Sequence, residues 1–257
     1  SSLDLNGQTL TVEGDLIHSA GTLNLNGGTL IVKGDYRNQT ITDDGAGNLS
    51  YTYGDGYLNM TNTADYMQVQ GDFVMDYSSS HNGVLSAGTL ELKGDFTQLS
   101  TINTNYGHEN SNFHTSGTHK VLLSGSTPQT VHFDDGSQVA SNFNQLEITN
   151  SSTLGVTFAT QAVITNQLYA TTTPLINSDN IVISGGAFIA QGNWDYDLKV
   201  NSASGNWLLS RNQTITHNLY IEGSSLDLNG QTLTVEGDLI HYAGTLNLNG
   251  GTLIVKG

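Results

Sequence analysis

Ser1–Gly34 reads SSLDLNGQTLTVEGDLIHSAGTLNLNGGTLIVKG, and Ser224–Gly257 reads the same string with Tyr242 in place of Ser19. The two stretches start 223 residues apart and share 33 of 34 residues. Convergence does not produce identity at that level, whereas tandem duplication does. Residues 1–223 therefore read as one complete unit of a repeat array and residues 224–257 as the start of the next. This reading predicts that the two copies superpose after one 223-residue translation. Neither copy carries a cap sequence over its strands, so the chain is expected to continue beyond both ends or to meet another chain there.

A shorter period lies inside the long one. Gly14-Asp15, Gly34-Asp35, Gly71-Asp72, Gly94-Asp95 and Gly237-Asp238 follow alternating runs such as TLTVEG, TLIVKG, YMQVQG and TLELKG. Alternation is the strand signal, and it places Leu10, Val12, Leu30, Val32, Met67, Val69, Leu90 and Leu92 inward. Leu3-Asp4-Leu5 and Leu23-Asn24-Leu25 give a second short strand ahead of Asn6-Gly7 and Asn26-Gly27. Asn-Gly between apolar alternations also signals a two-residue hairpin, which would build an antiparallel meander. The recurrence of equivalent strands at about 20 residues favours a β-solenoid, because identical sequences stack in parallel register without redesign of any contact. Coils rising about 4.8 Å each give roughly 9 to 11 coils and about 45–55 Å per unit. No 3.6-residue apolar stripe appears, and Asn, Gly and β-branched residues argue against helix.

Two stretches break the coil grammar. Residues 36–66 and 97–117 are too polar for core strands and are expected to bulge as loops. Composition excludes several classes of function. With 7 Lys+Arg against 23 Asp+Glu the net charge is -16, so the clustered cations a nucleic-acid binder needs are missing. No apolar run is long enough to span a bilayer, and the absence of Cys removes disulfides and thiolate chemistry.

Each candidate for chemistry has a structural competitor. The Gly-Asp pairs read as corners in which Gly supplies a positive φ and Asp caps the turn, ahead of a carboxylate ladder for a metal or sugar. Asn6, Asn26, Asn229 and Asn249 read as stacked corner residues. Asp43 and Asp44, with Asp55 further on, put oxygen donors into one segment, a candidate Ca²⁺ site whose spacing is not that of an EF-hand. Tyr36, Tyr51, Tyr53 and Tyr57 are candidate binding or assembly residues, against the commoner alternative that the rings cover the stack. His108, Glu109, His114 and His119 form a weaker metal candidate, and Asp195 with Asp197 a weaker glycosidase pair. No nucleophile elbow, phosphate loop or H-E-x-x-H motif is present, which argues against an enzyme.

The succession VLLSGSTPQTVHF, FNQLEITNSS, VTFATQAVITNQLYA, SLDLNGQTLTVEGDL and GTLNLNGGTLIVKGD resembles the repeats of filamentous-haemagglutinin-like bacterial extracellular β-helix proteins. The likeness covers roughly residues 1–35, 57–96 and 118–257. It implies a right-handed parallel β-helix, secretion, and a structural role in a bacterial matrix or on a cell surface, with copies of the chain itself as partners, end to end or in lateral bundles. The alternatives are an adhesin whose loops bind a glycan or host receptor and, less favoured, a polysaccharide-active enzyme.

Overall fold

The computed structural model describes residues 1–102, 111–170, 174–177, 180–183, 187–190, 193–194, 197–200, 206–209 and 211–257. The described chain is all-β. A first coil carries β1 (Ser2–Asp4), β2 (Thr9–Val12) and β3 (Leu16–Ile17), and a second carries β4 (Ala20–Asn24), β5 (Thr29–Val32) and β6 (Tyr36–Asp43). After β7 (Leu49–Tyr53) come β8 (Asp55–Asn59), β9 (Tyr66–Val69) and β10 (Phe73–Met75). The middle coils hold β11 (Thr89–Leu92), β12 (Phe96–Gln98), β13 (Lys120–Leu123), β14 (Gln129–Phe133), β15 (Phe143–Ile148), β16 (Val156–Phe158), β17 (Ala162–Ala170) and β18 (Leu175–Ile176). Next are β19 (Ile181–Ile183), β20 (Ala187–Ala190), β21 (Asn193–Trp194), β22 (Leu198–Val200), β23 (Asn206–Leu209) and β24 (Gln213–Ile215). The chain ends with β25 (Leu219–Asp227), β26 (Thr232–Val235), β27 (Leu239–Asn247) and β28 (Thr252–Val255).

The first three passes of the chain each visit three ladders in turn. The first ladder stacks β1, β4 and β8; the second runs β2-β5-β9-β11-β13-β15-β17-β20-β23-β25; the third runs β3-β6-β10-β12-β14-β16-β18. Among the described strand pairs only β6 with β7 is antiparallel. Parallel stacking of successive passes is the layout of a β-solenoid, and it rules out the antiparallel meander.

The inward set behaves as the alternation requires. Leu10, Leu30, Met67, Leu90, Val121, Leu146 and Leu168 follow one another up the second ladder, and from Leu30 onward they are buried. The third ladder adds an aromatic column that begins after the Gly-Asp corners. Tyr36 stacks on Phe73 at 5.0 Å and Phe73 on Phe96 at 5.8 Å, while Phe133 tilts against Phe96 at 4.9 Å. Such offset ring pairs add about 0.5–1.5 kcal/mol each beyond area burial.

The corners divide into two kinds. At Asn6-Gly7, Asn26-Gly27, Asn229-Gly230 and Asn249-Gly250 both residues have positive φ, which explains the residue types. The Gly-Asp corners work otherwise than the sequence suggests: their glycines lie outside the positive-φ region. Their requirement is close approach. A Cβ on Gly34 would sit 2.1 Å from Asp15 Oδ1, and one on Gly71 would sit 2.3 Å from Asp35 Oδ1. The aspartates bond between coils. Asp15, Asp35 and Asp72 each accept the backbone N–H of the next Gly-Asp aspartate at 2.8–2.9 Å, and Asp95 accepts that of Thr130 at 2.7 Å.

Two expectations need correction. Residues 36–66 are not one loop: Tyr36–Asn38 and Asp55–Asn59 are rungs of the stack, and only the segment between them projects. The copies are also not related by simple translation. Ser2–Asp4 lies in the first ladder, but its counterpart Ser225–Asp227 lies in the ladder that holds β2. Thr232–Val235, the counterpart of β2, pairs instead with β24 and β28 in a separate four-stranded sheet.

Candidate functional site

The projecting element is a hairpin. β6 leaves the third ladder at its outer end and β7 returns along it, with Gln39 opposite Tyr53, Ile41 opposite Tyr51 and Asp43 opposite Leu49. The tip closes because Asp43 Oδ1 accepts Gly45 N–H at 2.8 Å and Asp44 Oδ1 accepts Ala46 N–H at 2.7 Å, with Gly45 and Gly47 at positive φ. The base is fixed in the stack. Asn38 Nδ2 donates to Gly56 O, and Gln39 Nε2 donates at 3.1 Å to Asp76 Oδ2, a buried carboxylate that also accepts the N–H and hydroxyl of Thr101.

Every residue of β7 is exposed, and Leu49, Tyr51 and Tyr53 alternate onto one face, 52%, 44% and 39% accessible. The Arg37 guanidinium lies 5.4 Å from the Tyr51 ring centre, a cation–π contact at the hairpin base. The other two candidate tyrosines are elsewhere. Tyr36 is wholly buried in the aromatic column, and Tyr57 stacks on His81 beside Tyr77 on the solenoid wall. The Gly-Asp-Tyr and Gly-Asp-Phe sequences at residues 34–36, 71–73 and 94–96 are the signal that assigns Tyr36 to the core.

The three candidate cation ligands are not brought together. Asp43 and Asp44 share the tip, whereas Asp55 opens β8 at the base and accepts the Ser78 hydroxyl. Asp44 is held below the usual carboxylate range by the Asn48 amide and by the backbone N–H groups of Ala46 and Asn48. Among the described residues no three His, Asp or Glu side chains are grouped to hold a metal.

His81 and His119 serve packing. His81 is buried; its Nδ1 donates to Asn112 O and its Nε2 accepts Leu58 N–H at 3.2 Å, and burial pulls it down to about 4. His119 is buried beside Phe113 with neither ring nitrogen bonded, and burial takes it to about 3. His114 Nδ1 faces Ala140 O at 2.6 Å, while His108 and Glu109 lie outside the described residues. Asp195 also lies outside them, and Asp197 accepts Asn218 N–H at 2.8 Å.

A second surface was not evident from the sequence. The outward side of the second ladder gathers Tyr66, Gln68, Glu91, Lys93 and Ser124 into one network. Burial alone would raise Glu91, but hydrogen bonds from Ser124, Tyr66 and Gln68, with Lys93 beside it, bring it down to about 2. Higher on the same face, Lys120, Gln145, Glu147, Gln167 and Tyr169 line a shallow groove of about 380 Å³, with Lys120 Nζ 2.8 Å from Glu147 Oε2. These residues come from separate coils, so only the stacking register assembles them.

Among the described residues no helix is long and apolar enough to cross a membrane. Compared with protein-family models, curated proteins and solved structures, the chain matches none.

Proposed function

We propose that this chain is part of a structural extracellular fibre: a tandem-repeat, right-handed parallel β-helix in a bacterial matrix or on a cell surface, acting by assembly and not by catalysis. The observation that carries the reading is continuity across the repeat boundary. β25 joins the last coil of one copy to the first strand of the next, Leu219–Ile221 stacking on β22 and Ser225–Asp227 on β23. Copies thus add to one another inside the same ladders, and a fibre grows without a designed joint. The hairpin, with Leu49, Tyr51 and Tyr53 outward, is the element for lateral contact with neighbouring copies. Electron microscopy of the purified protein tests this: ordered filaments are expected, and separate rods at all concentrations would overturn it.

The groove formed by Lys120, Gln145, Glu147, Gln167 and Tyr169 favours a second reading, an adhesin that takes a glycan across its polar face. In that case Tyr169→Ala abolishes binding on a glycan array while filament formation is untouched.

A further inference from the structure

We infer that successive 223-residue copies are related by a screw that turns by one face of the three-sided coil, so that any feature of a copy points in three directions in turn and returns to its starting direction every third copy. The inference rests on the tandem-array reading above.

The ladders carry the argument. Nine steps lead up the second ladder from β2 to β25, and the strand reached there is Ser225–Asp227, not the counterpart of β2. In the first copy the counterpart, β1, precedes β2 by one face of the coil. One copy therefore spans nine turns and one further face. The first ladder agrees. It continues from β8 through bridges Met60–Leu85 and Leu85–Thr115, and the 114–142 bridge hands it to β15. From there Phe143 meets Ile164, and the ladder rises through β19, β22 and Leu219–Ile221 to Leu239–His241. Leu239–His241 matches Leu16–His18 of the first copy, whose Leu16 and Ile17 lie in the third ladder. Both traced faces are displaced by one.

Local conformation does not change with the face. Asn6 and Asn229 have φ of 46° and 48°, and Gly21 and Gly244 have 91° and 89°. His18 Nε2 meets Gly21 O at 3.1 Å, and His241 Nε2 meets Gly244 O at 3.2 Å. Corners are written into the repeat, and the face on which each falls is set by the coils that precede it. Since the second copy starts on the next face with the same corners, the displacement recurs with each copy. At about 4.8 Å per coil, one copy advances about 45 Å and the pattern closes after about 130 Å. The hairpins of an array then spiral around the fibre instead of forming one row, which lets a fibre meet neighbours on every side.

The chain has no Cys, so paired cysteines report the phase directly. Leu208 is level with Asp227, and Thr214 with Thr234, all with outward side chains. Oxidation of the Leu208→Cys/Asp227→Cys and Thr214→Cys/Thr234→Cys variants of the 257-residue chain is expected to close both disulfides nearly completely. Lys199→Cys/Asp227→Cys and Leu208→Cys/Thr234→Cys, the neighbours required by pure translation, are expected to stay reduced. Thr11→Cys/Ile31→Cys, a rung common to both arrangements, is the folding control. Closure of the translational pairs, or failure of both expected pairs while the control closes, would overturn the screw. The outcome is independent of whether filaments form, so it separates this inference from the fibre reading.

Discussion

Residues 1–34 and 224–257 are nearly the same peptide in two stacking environments. Leu3 is 49% exposed and its counterpart Leu226 only 3%, whereas Leu25 is fully buried and its counterpart Leu248 is 46% exposed. The difference follows the neighbours: Leu226 and Leu25 have a strand stacked on each side, whereas Leu3 and Leu248 have one on one side only. A coil cannot bury its own apolar row. Stability here is a sum of contacts between neighbouring coils, and the comparison can be broken or sharpened by perturbing matched positions.

The largest expected effect comes from the buried histidines of the middle coils. His81 and His119 are buried with proton affinity depressed to about 4 and about 3. A histidine depressed in the folded state binds its proton more readily when unfolded, so stability is full above about pH 6.5 and falls as pH drops toward the folded values. At about 1.4 kcal/mol per pKa unit, the loss is on the order of a few kcal/mol for each. Urea titrations from pH 7 to pH 4 should show this loss. In His119→Phe, which keeps a ring beside Phe113, the slope should become shallower; an unchanged slope would remove His119 as a source of the loss.

Next come matched core truncations. Leu226→Ala should cost about 2–4 kcal/mol by chemical denaturation and Leu3→Ala less than about 1 kcal/mol. Equal costs would mean that burial does not depend on the adjoining coil.

Matched glycines give a smaller contrast. A Cβ at Gly14 meets nothing within 4 Å, but one at the counterpart Gly237 would lie 2.6 Å from Asn218 Oδ1 and 2.8 Å from the His217 backbone. Gly237→Ala is expected to destabilise by about 1–3 kcal/mol and Gly14→Ala to be close to neutral.

Replacing Thr42–Ser50 with Asn-Gly shortens the hairpin while keeping its Ile41–Tyr51 rung. Circular dichroism should retain the β signature with a melting temperature within a few degrees, while filament bundling seen by microscopy is lost. Chelation should leave bundling unchanged, because the tip carboxylates are bonded to their own turn and Asp55 is at the base. Smallest of all, the exposed pairs Lys33–Glu13 and Lys256–Glu236, each 2.7 Å, should contribute less than about 1 kcal/mol and to the same degree in both copies. A double-mutant cycle on each pair measures this.

The features legible in the sequence are those encoded locally. Alternation placed Leu30, Val32, Met67 and Leu90 inward, and Asn-Gly marked the positive-φ corners, because both depend on residues within a few positions of each other. The sequence leaves Tyr36 between a contact residue and a ring that covers the stack, because one tyrosine in a polar stretch carries no periodicity, although its place after Gly-Asp matches Phe73 and Phe96. The Gly-Asp glycines read as positive-φ corners, whereas their constraint is close approach to atoms of the preceding coil, 19 or more residues away. The network around Glu91 and the one-face displacement were out of reach for a related reason. Both depend on which coil lies above which, and thus on the number of residues each intervening coil consumes.

The central claim, that coils stack in parallel and the second copy rises one face out of phase with the first, is tested most directly by an experimental density map of the 257-residue chain. The account predicts Tyr36, Phe73 and Phe96 in one column and Leu226 on the ladder that begins at Leu10. Leu226 on the ladder of Leu3, or antiparallel strands across the unit, would contradict it.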